Sequence, residues 1–171
     1  MAITDLRFEE HEALFMIALV WQGKSLEAFH EKANKLIQEV KTLTEDTVDV
    51  DQLFNISVHN IEDGITYYSA FQASKKPRSL PEDMEWLEIP PQTYFVANHV
   101  AGTNREESYD EISRQIKERG YVPYITADFP VFDPLPFKIE IHYLNGKISK
   151  QEAYEIRIPV IKKLTSSEAV F

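Results

Sequence analysis

Four stretches of this chain alternate apolar and polar side chains with a period of two, the repeat of a β-strand that turns one face to a core. Phe54, Ile56 and Val58 alternate with Asn55, Ser57 and His59; Ile65, Tyr67, Ser69 and Phe71 alternate with Thr66, Tyr68, Ala70 and Gln72. Further on, Phe137, Ile139, Ile141 and Tyr143 alternate with Lys138, Glu140 and His142, and Tyr154, Ile156, Ile158 and Val160 alternate with Glu155, Arg157 and Pro159. Residues 60–64 read as the turn of an antiparallel hairpin, and Asn145-Gly146 marks a second turn.

What precedes each hairpin has the same order. Ala13 to Trp21 is continuously apolar, as in a strand buried on both faces, and Gln22-Gly23-Lys24 ends it. Ser25 is a suitable N-cap, and Leu26, Phe29, Ala33, Leu36, Ile37 and Val40 then fall on one face of a helix. In the second half, Pro90 and Pro91 open a strand that runs to Val100. Thr103-Asn104-Arg105-Glu106 reads as a capping box, Tyr109, Ile112 and Ile116 keep helical spacing, and Gly120 stands where a C-cap glycine belongs. The pattern predicts an α+β fold: two pseudo-symmetric β-α-β-β repeats forming an antiparallel sheet, with two main helices on one face and a central cleft between the halves. Residues 1–171 form a single domain in this reading, with halves at about 12–73 and 89–162 and a polar, proline-containing loop over 74–88.

Composition removes several classes of function. The chain has no cysteine, which excludes disulfides, thiol nucleophiles and cysteine-bound metals and fits a reducing compartment. A net charge of −10 repels phosphate backbones and anionic lipids, so neither direct nucleic-acid binding nor membrane association is expected. The acidic N-terminus has no basic n-region, and the run from Ala13 to Trp21 is too short to span a bilayer, which predicts a cytoplasmic protein.

Dinucleotide, P-loop, nucleophile-elbow and zincin motifs are all absent. Asp49 and Asp51 resemble the start of a calcium loop but lack its glycine and terminal glutamate. The five histidines are scattered, three of them on polar faces of predicted strands, where surface or rim positions are expected. No cofactor or metal is predicted. What stands out is the number of tyrosines and tryptophans near acidic residues. Most of these rings serve core packing, but aromatic faces beside a carboxylate also suit a lipophilic cation.

Three segments carry a family resemblance. Trp86-Leu87-Glu88-Ile89-Pro90-Pro91-Gln92-Thr93-Tyr94-Phe95-Val96 resembles the "IPAGxYAVF" strand of GyrI-like effector-binding domains, the small-molecule-binding domains of AraC-type regulators. Phe129-Pro130-Val131-Phe132-Asp133 is similar to that family's "PxFExY" segment, and Glu155-Ile156-Arg157-Ile158-Pro159-Val160 to its closing "EIxIPV" strand. Order and spacing match from about Leu14 to Lys162. The resemblance implies a cleft for small hydrophobic or cationic molecules and, with about a dozen residues before the first strand, a stand-alone member. It places the family's cleft glutamate on Asp133, one methylene shorter and followed by Pro134; Glu140, on the next strand, is a possible substitute, although an exposed strand-face charge is the simpler reading of it.

These residues support one leading function and two alternatives. The leading expectation is binding of a small molecule, such as a lipophilic cation, with Asp133 or Glu140 supplying charge and Tyr68, Trp86, Tyr94 and Tyr154 supplying aromatic walls. The first alternative is a hydrolase of strained electrophiles such as cyclopropanoid compounds, in which Asp133 or Glu140 acts on water and a tyrosine such as Tyr154 donates a proton. The second is an acidic module that inhibits a basic, DNA-handling protein partner.

Overall fold

The computed structural model describes residues 2–24, 31, 34–35, 38–39, 48–80, 82, 84–126, 130, 132–143 and 153–164. In chain order the described elements are β1 (Ile3–His11), β2 (Leu14–Gly23), β3 (Gln52–Ile61), β4 (Gly64–Gln72), β5 (Met84–Ile89), β6 (Gln92–His99), α1 (Arg105–Glu118), β7 (Tyr121–Pro123), β8 (Phe137–Tyr143) and β9 (Tyr154–Lys162). The strands form one antiparallel sheet in the order β1-β6-β9-β8-β3-β4-β2-β5, with β7 added beside β9.

Two short connections dictate the shape of this sheet. Pro90 and Pro91 alone link β5, at one end of the order, to β6, next to the other end. Glu12 and Ala13 alone link β1 to β2 in the same way. Six strand spacings in a flat sheet amount to about 29 Å, whereas three Cα steps reach at most about 11 Å. The sheet therefore curls until its ends meet. The concave face records this closure: Leu14 and Ile89 from one end share an apolar cluster with Tyr94 and Val96 from the other, around Met16, Phe54, Ile56, Ala70, Ile139 and Ile141.

The convex face carries α1. Ile112 and Ile116 of the helix pack on Phe95, Ala97, Tyr154, Ile156 and Ile158. Beyond the centre of the sheet a second convex cluster joins Ile17, Leu53, Phe71, Ala73 and Met84. As its composition predicted, β2 is covered on both sides, with Met16, Ile17 and Ala18 fully buried.

Several expectations are corrected. Residues 3–11 are not a lead-in but the strand β1, paired with β6. Its alternation is hidden by an irregularity between Thr4 and Arg7, with Asp5 at φ 57°, which brings Ile3, Leu6 and Phe8 into the same cluster. The loop expected over 74–88 contains β5, whose Met84 and Trp86 serve one face and Leu87 and Ile89 the other, so it shows no simple period. The helix is capped by Asn104, whose side chain accepts from the amides of Glu106 and Glu107, while the Thr103 hydroxyl donates to the Val100 carbonyl at 2.6 Å. Gly120, at φ 81°, follows the C-cap residue Arg119 in the left-handed conformation expected of a helix-ending glycine. The helix expected over Ser25 to Val40 has its apolar positions outside the described residues; Glu31, Asn34, Lys35, Gln38 and Glu39 within it are helical. The Asn145-Gly146 turn also lies outside them.

Phe54 sits at the centre of the concave cluster with 1% exposure, whereas Phe132 is 50% exposed. Phe54→Ala is expected to cost about 3–5 kcal/mol in chemical denaturation, and Phe132→Ala about 0.5 kcal/mol or less. Similar losses at the two positions would contradict this placement of the core.

Candidate functional site

Between the two convex clusters the sheet presents polar side chains. β3 contributes Asn55, Ser57 and His59, and β8 pairs with it in register so that Glu140 lies opposite Asn55 and Lys138 opposite Ser57. The strand period that sends Phe54, Ile56, Ile139 and Ile141 into the concave core sends these residues to the other face. Helix α1 forms one bank with Arg105, Tyr109 and Ser113, and the segment before β8 adds Asp133, Pro134 and Leu135. Together with Tyr67 of β4 they enclose a cleft of about 700 Å³.

Glu140 forms the floor of the cleft. It is only 7% exposed, so its simpler reading as an exposed strand charge is overturned. One carboxylate oxygen accepts from the Tyr109 hydroxyl at 2.6 Å. The other lies 3.2 Å from His142 Nε2 and 3.3 Å from Arg105 Nη2. Burial pushes the Glu140 pKa up, but the bond to His142, the charge of Arg105 and the Tyr109 hydroxyl outweigh it and hold the carboxyl below its ordinary value. Burial together with the nearby carboxylate drives Tyr109 well above the usual tyrosine range.

A second tier supports this floor. Arg105 Nε donates to the Tyr154 hydroxyl at 3.2 Å, and its guanidinium lies 5.5 Å from the centre of that ring. Tyr154 is flanked by the rings of His99 at 4.4 Å and His142 at 4.6 Å, and burial raises its pKa to about 12. His99 Nδ1 meets the Ser108 hydroxyl at 2.7 Å. His99 and His142 are 2% and 7% exposed, not the rim residues that their strand positions predicted.

Asp133 stands at the opposite side of the cleft. It accepts from the Leu135 amide at 2.9 Å and from Lys138 Nζ at 3.0 Å, and His59 Nδ1 is 3.7 Å away. Partial burial raises its pKa, but these donors prevail and the carboxyl is held below its usual range. His59 is shifted down by burial and by the charge of Lys138, which Asp133 only partly offsets.

Of the six residues singled out in the sequence, Asp133 and Glu140 meet in this cleft. Tyr154 lies one layer behind it, reached through Arg105. Tyr68 and Tyr94 belong to the concave core on the other face of the sheet. Trp86 packs with the second convex cluster, stacks on Phe15 at 6.2 Å and donates to Glu88. Arg105, Tyr109, Lys138 and His142 are not among those six. Tyr109 was masked by helical spacing shared with Ile112. Arg105 did leave a signal, because a cation in the first turn of a helix opposes the macrodipole. Among the described residues no cluster of histidine and acidic side chains is arranged to hold a metal ion, and no helix is long and apolar enough to cross a membrane.

No curated protein is matched by sequence. Several solved structures share the fold. SAV2435 bound to tetraphenylphosphonium superposes with a TM-score of 0.65 at 9% identity, over 92% of this chain and 94% of that one. The EcmrR C-terminal domain gives a TM-score of 0.71 at 15% identity, over 95% and 99% of the two chains. A hydrolase encoded by lin2189 from Listeria innocua gives 0.57 at 10% identity, over 91% of each. The architecture is that of the GyrI-like effector-binding domains that the three sequence segments resemble. The sequence profile of the family described as "Cass2: Integron-associated effector binding protein" matches residues 7–160, from within β1 to within β9, and the chain belongs to that family.

Proposed function

We propose that this protein binds a small organic effector in the cleft between α1 and the β3–β8 junction. The observation that carries the proposal is the buried, ionised Glu140 at the base of a cleft bordered by Tyr67 and Tyr109. A cavity of about 700 Å³ is of the size that takes drug-like ligands. Apolar side chains at its edge, Ile65, Pro134 and Leu135, offer contact area, while Asn55, Ser57 and His59 offer directional hydrogen bonds. Membership of an effector-binding family supports the same reading, as does the similar fold of SAV2435, which carries tetraphenylphosphonium.

A hydrolytic role fits the chemistry less well. A general base or acid works best with a pKa near the working pH. Glu140 is held below its ordinary value, and Tyr154 is raised to about 12. Both shifts move these groups away from neutrality, which suits fixed recognition better than proton transfer.

The site is tested by thermal shift with a panel of neutral and charged aromatic compounds. Ser113 faces the cleft from the middle of α1 and is only half-buried, so Ser113→Trp fills the cleft at small cost to the core. Ligands that raise the wild-type Tm are expected to have no effect on this variant. Shifts that survive both Ser113→Trp and Glu140→Gln would place binding elsewhere.

The protonation states make stability depend on acid. Glu140 has a folded pKa below its model-compound value of 4.5, so its contribution is complete above about pH 4.5 and is lost as pH falls through the folded value. His59 and His99 have folded values below 6.5, so the native state resists their protonation and loses stability as pH falls from 6.5 toward those values. A Tm series from pH 7.5 to about 3.5 should fall throughout that range. Glu140→Gln should lower stability at neutral pH by about 2 kcal/mol, by leaving buried donors without their acceptor, and should flatten the decline below about pH 4.5. A Glu140→Gln protein as stable as the wild type, with an identical acid profile, would contradict the assigned ionisation.

A further inference from the structure

The two carboxylates set on the sheet side of this cleft, Glu140 and Asp133, are each already in contact with a cation of the protein itself, and the acidic lining residues Glu106, Asp110, Asp133 and Glu140 are matched in number by Arg105, Arg114, Lys117 and Lys138. Arg105 Nη2 lies 3.3 Å from Glu140, and the same guanidinium lies 5.5 Å from the centre of the Tyr154 ring. Lys138 Nζ lies 3.0 Å from Asp133 and 5.0 Å from the centre of the Tyr109 ring. Two carboxylates of the cleft, its Tyr109 ring and the Tyr154 ring behind it thus meet two tethered cations. A guest cation that approached Glu140 or Asp133 would meet a like charge at short range in a partly desolvated space.

The placement of Arg105 carries a local cost that its role in the cleft explains. It is the first residue of α1, where the unpaired amides and the macrodipole disfavour positive charge. Asn104 and the acidic pair Glu106 and Glu107 satisfy the usual needs of that turn. Arg105 follows no helix rule, yet its side chain is directed across to the sheet. Its contact with Glu140 is a single one and its side chain remains 36% exposed, so it is poised beside the cleft and not sealed in a bidentate clamp.

We infer that Arg105 and Lys138 set the ligand class of this cleft: they neutralise Glu140 and Asp133 from within, so that it selects uncharged aromatic molecules bearing hydrogen-bond acceptors over permanent organic cations of the same size. Such a guest leaves both ion pairs in place and turns its acceptors toward the remaining donor positions of the guanidinium and the ammonium. This rests on the proposed cleft as the binding site and names its preferred guest.

The test compares two probes of similar shape, tetraphenylphosphonium, a permanent cation, and triphenylphosphine oxide, an uncharged acceptor, by calorimetric titration. The quantity read is the ratio of their dissociation constants within each protein, which a change in overall folding does not move. The wild type should favour the oxide. Arg105→Met should shift the ratio about tenfold or more toward the cation. Arg105→Lys, which keeps the charge, should retain the wild-type preference, and adding Glu140→Gln to Arg105→Met should abolish the gain. Arg105→Gln serves in place of Arg105→Met if the latter does not fold. A wild type that prefers the phosphonium, or a ratio unmoved by Arg105→Met, would overturn the inference while leaving the binding site standing. Failure of every one of these proteins to bind either probe would overturn both.

Discussion

Closure of the sheet is the constraint on which the rest of the structure depends. Two two-residue connections, Glu12-Ala13 and Pro90-Pro91, each join strands from opposite ends of an eight-strand order. No flat sheet satisfies them, so the sheet curls and its concave face closes on itself. That closure consumes one face entirely: Phe54, Ile56, Ile139 and Ile141 fill it from the centre, and Leu14, Ile89, Tyr94 and Val96 from the two ends. Closure of that face leaves the convex side, where the cleft lies, and the strand edge near His11 and Gln92 as accessible depressions.

The convex side holds its polar residues by pairing them completely. Asn55, Ser69, His99, Ser108, Glu140 and His142 are all buried, and no buried side-chain polar atom among the described residues lacks a hydrogen-bond partner. Such a network fixes geometry when every member is satisfied. Glu140 is its centre, with a helix tyrosine, a helix arginine and a neighbouring histidine converging on one carboxylate. The cleft is thus built around a charge that the protein has already balanced.

Much of this was legible in the sequence, for definite reasons. Strands whose side chains alternate apolar and polar announce themselves by period, as β3, β4, β8 and β9 do, and the helix announces itself through Ile112 and Ile116. Two strands were hidden for reasons particular to them. β5 places apolar residues on both sides, and β1 changes phase at Asp5. The same blindness affected the site. From alternation, Glu140 is a residue on the polar face, and only Arg105 and Tyr109, reaching from α1 to β8, turn its surroundings into an interior. Tyr68 and Tyr94 were credible cleft walls by composition, but parity along β4 and β6 sends them to the concave core. Arg105 was visible as a cation in the wrong turn of a helix, a local inconsistency of the kind that marks functional positions.

The most direct measurement is a crystal structure of the protein with an aromatic ligand that raises its Tm. The ligand is expected on the convex face, between α1 and the β3–β8 junction, against Tyr67 and Tyr109, with the Arg105–Glu140 pair intact beneath it. A ligand bound instead on the concave side beside Tyr68 and Tyr94, or along the edge formed by β1, would contradict this placement.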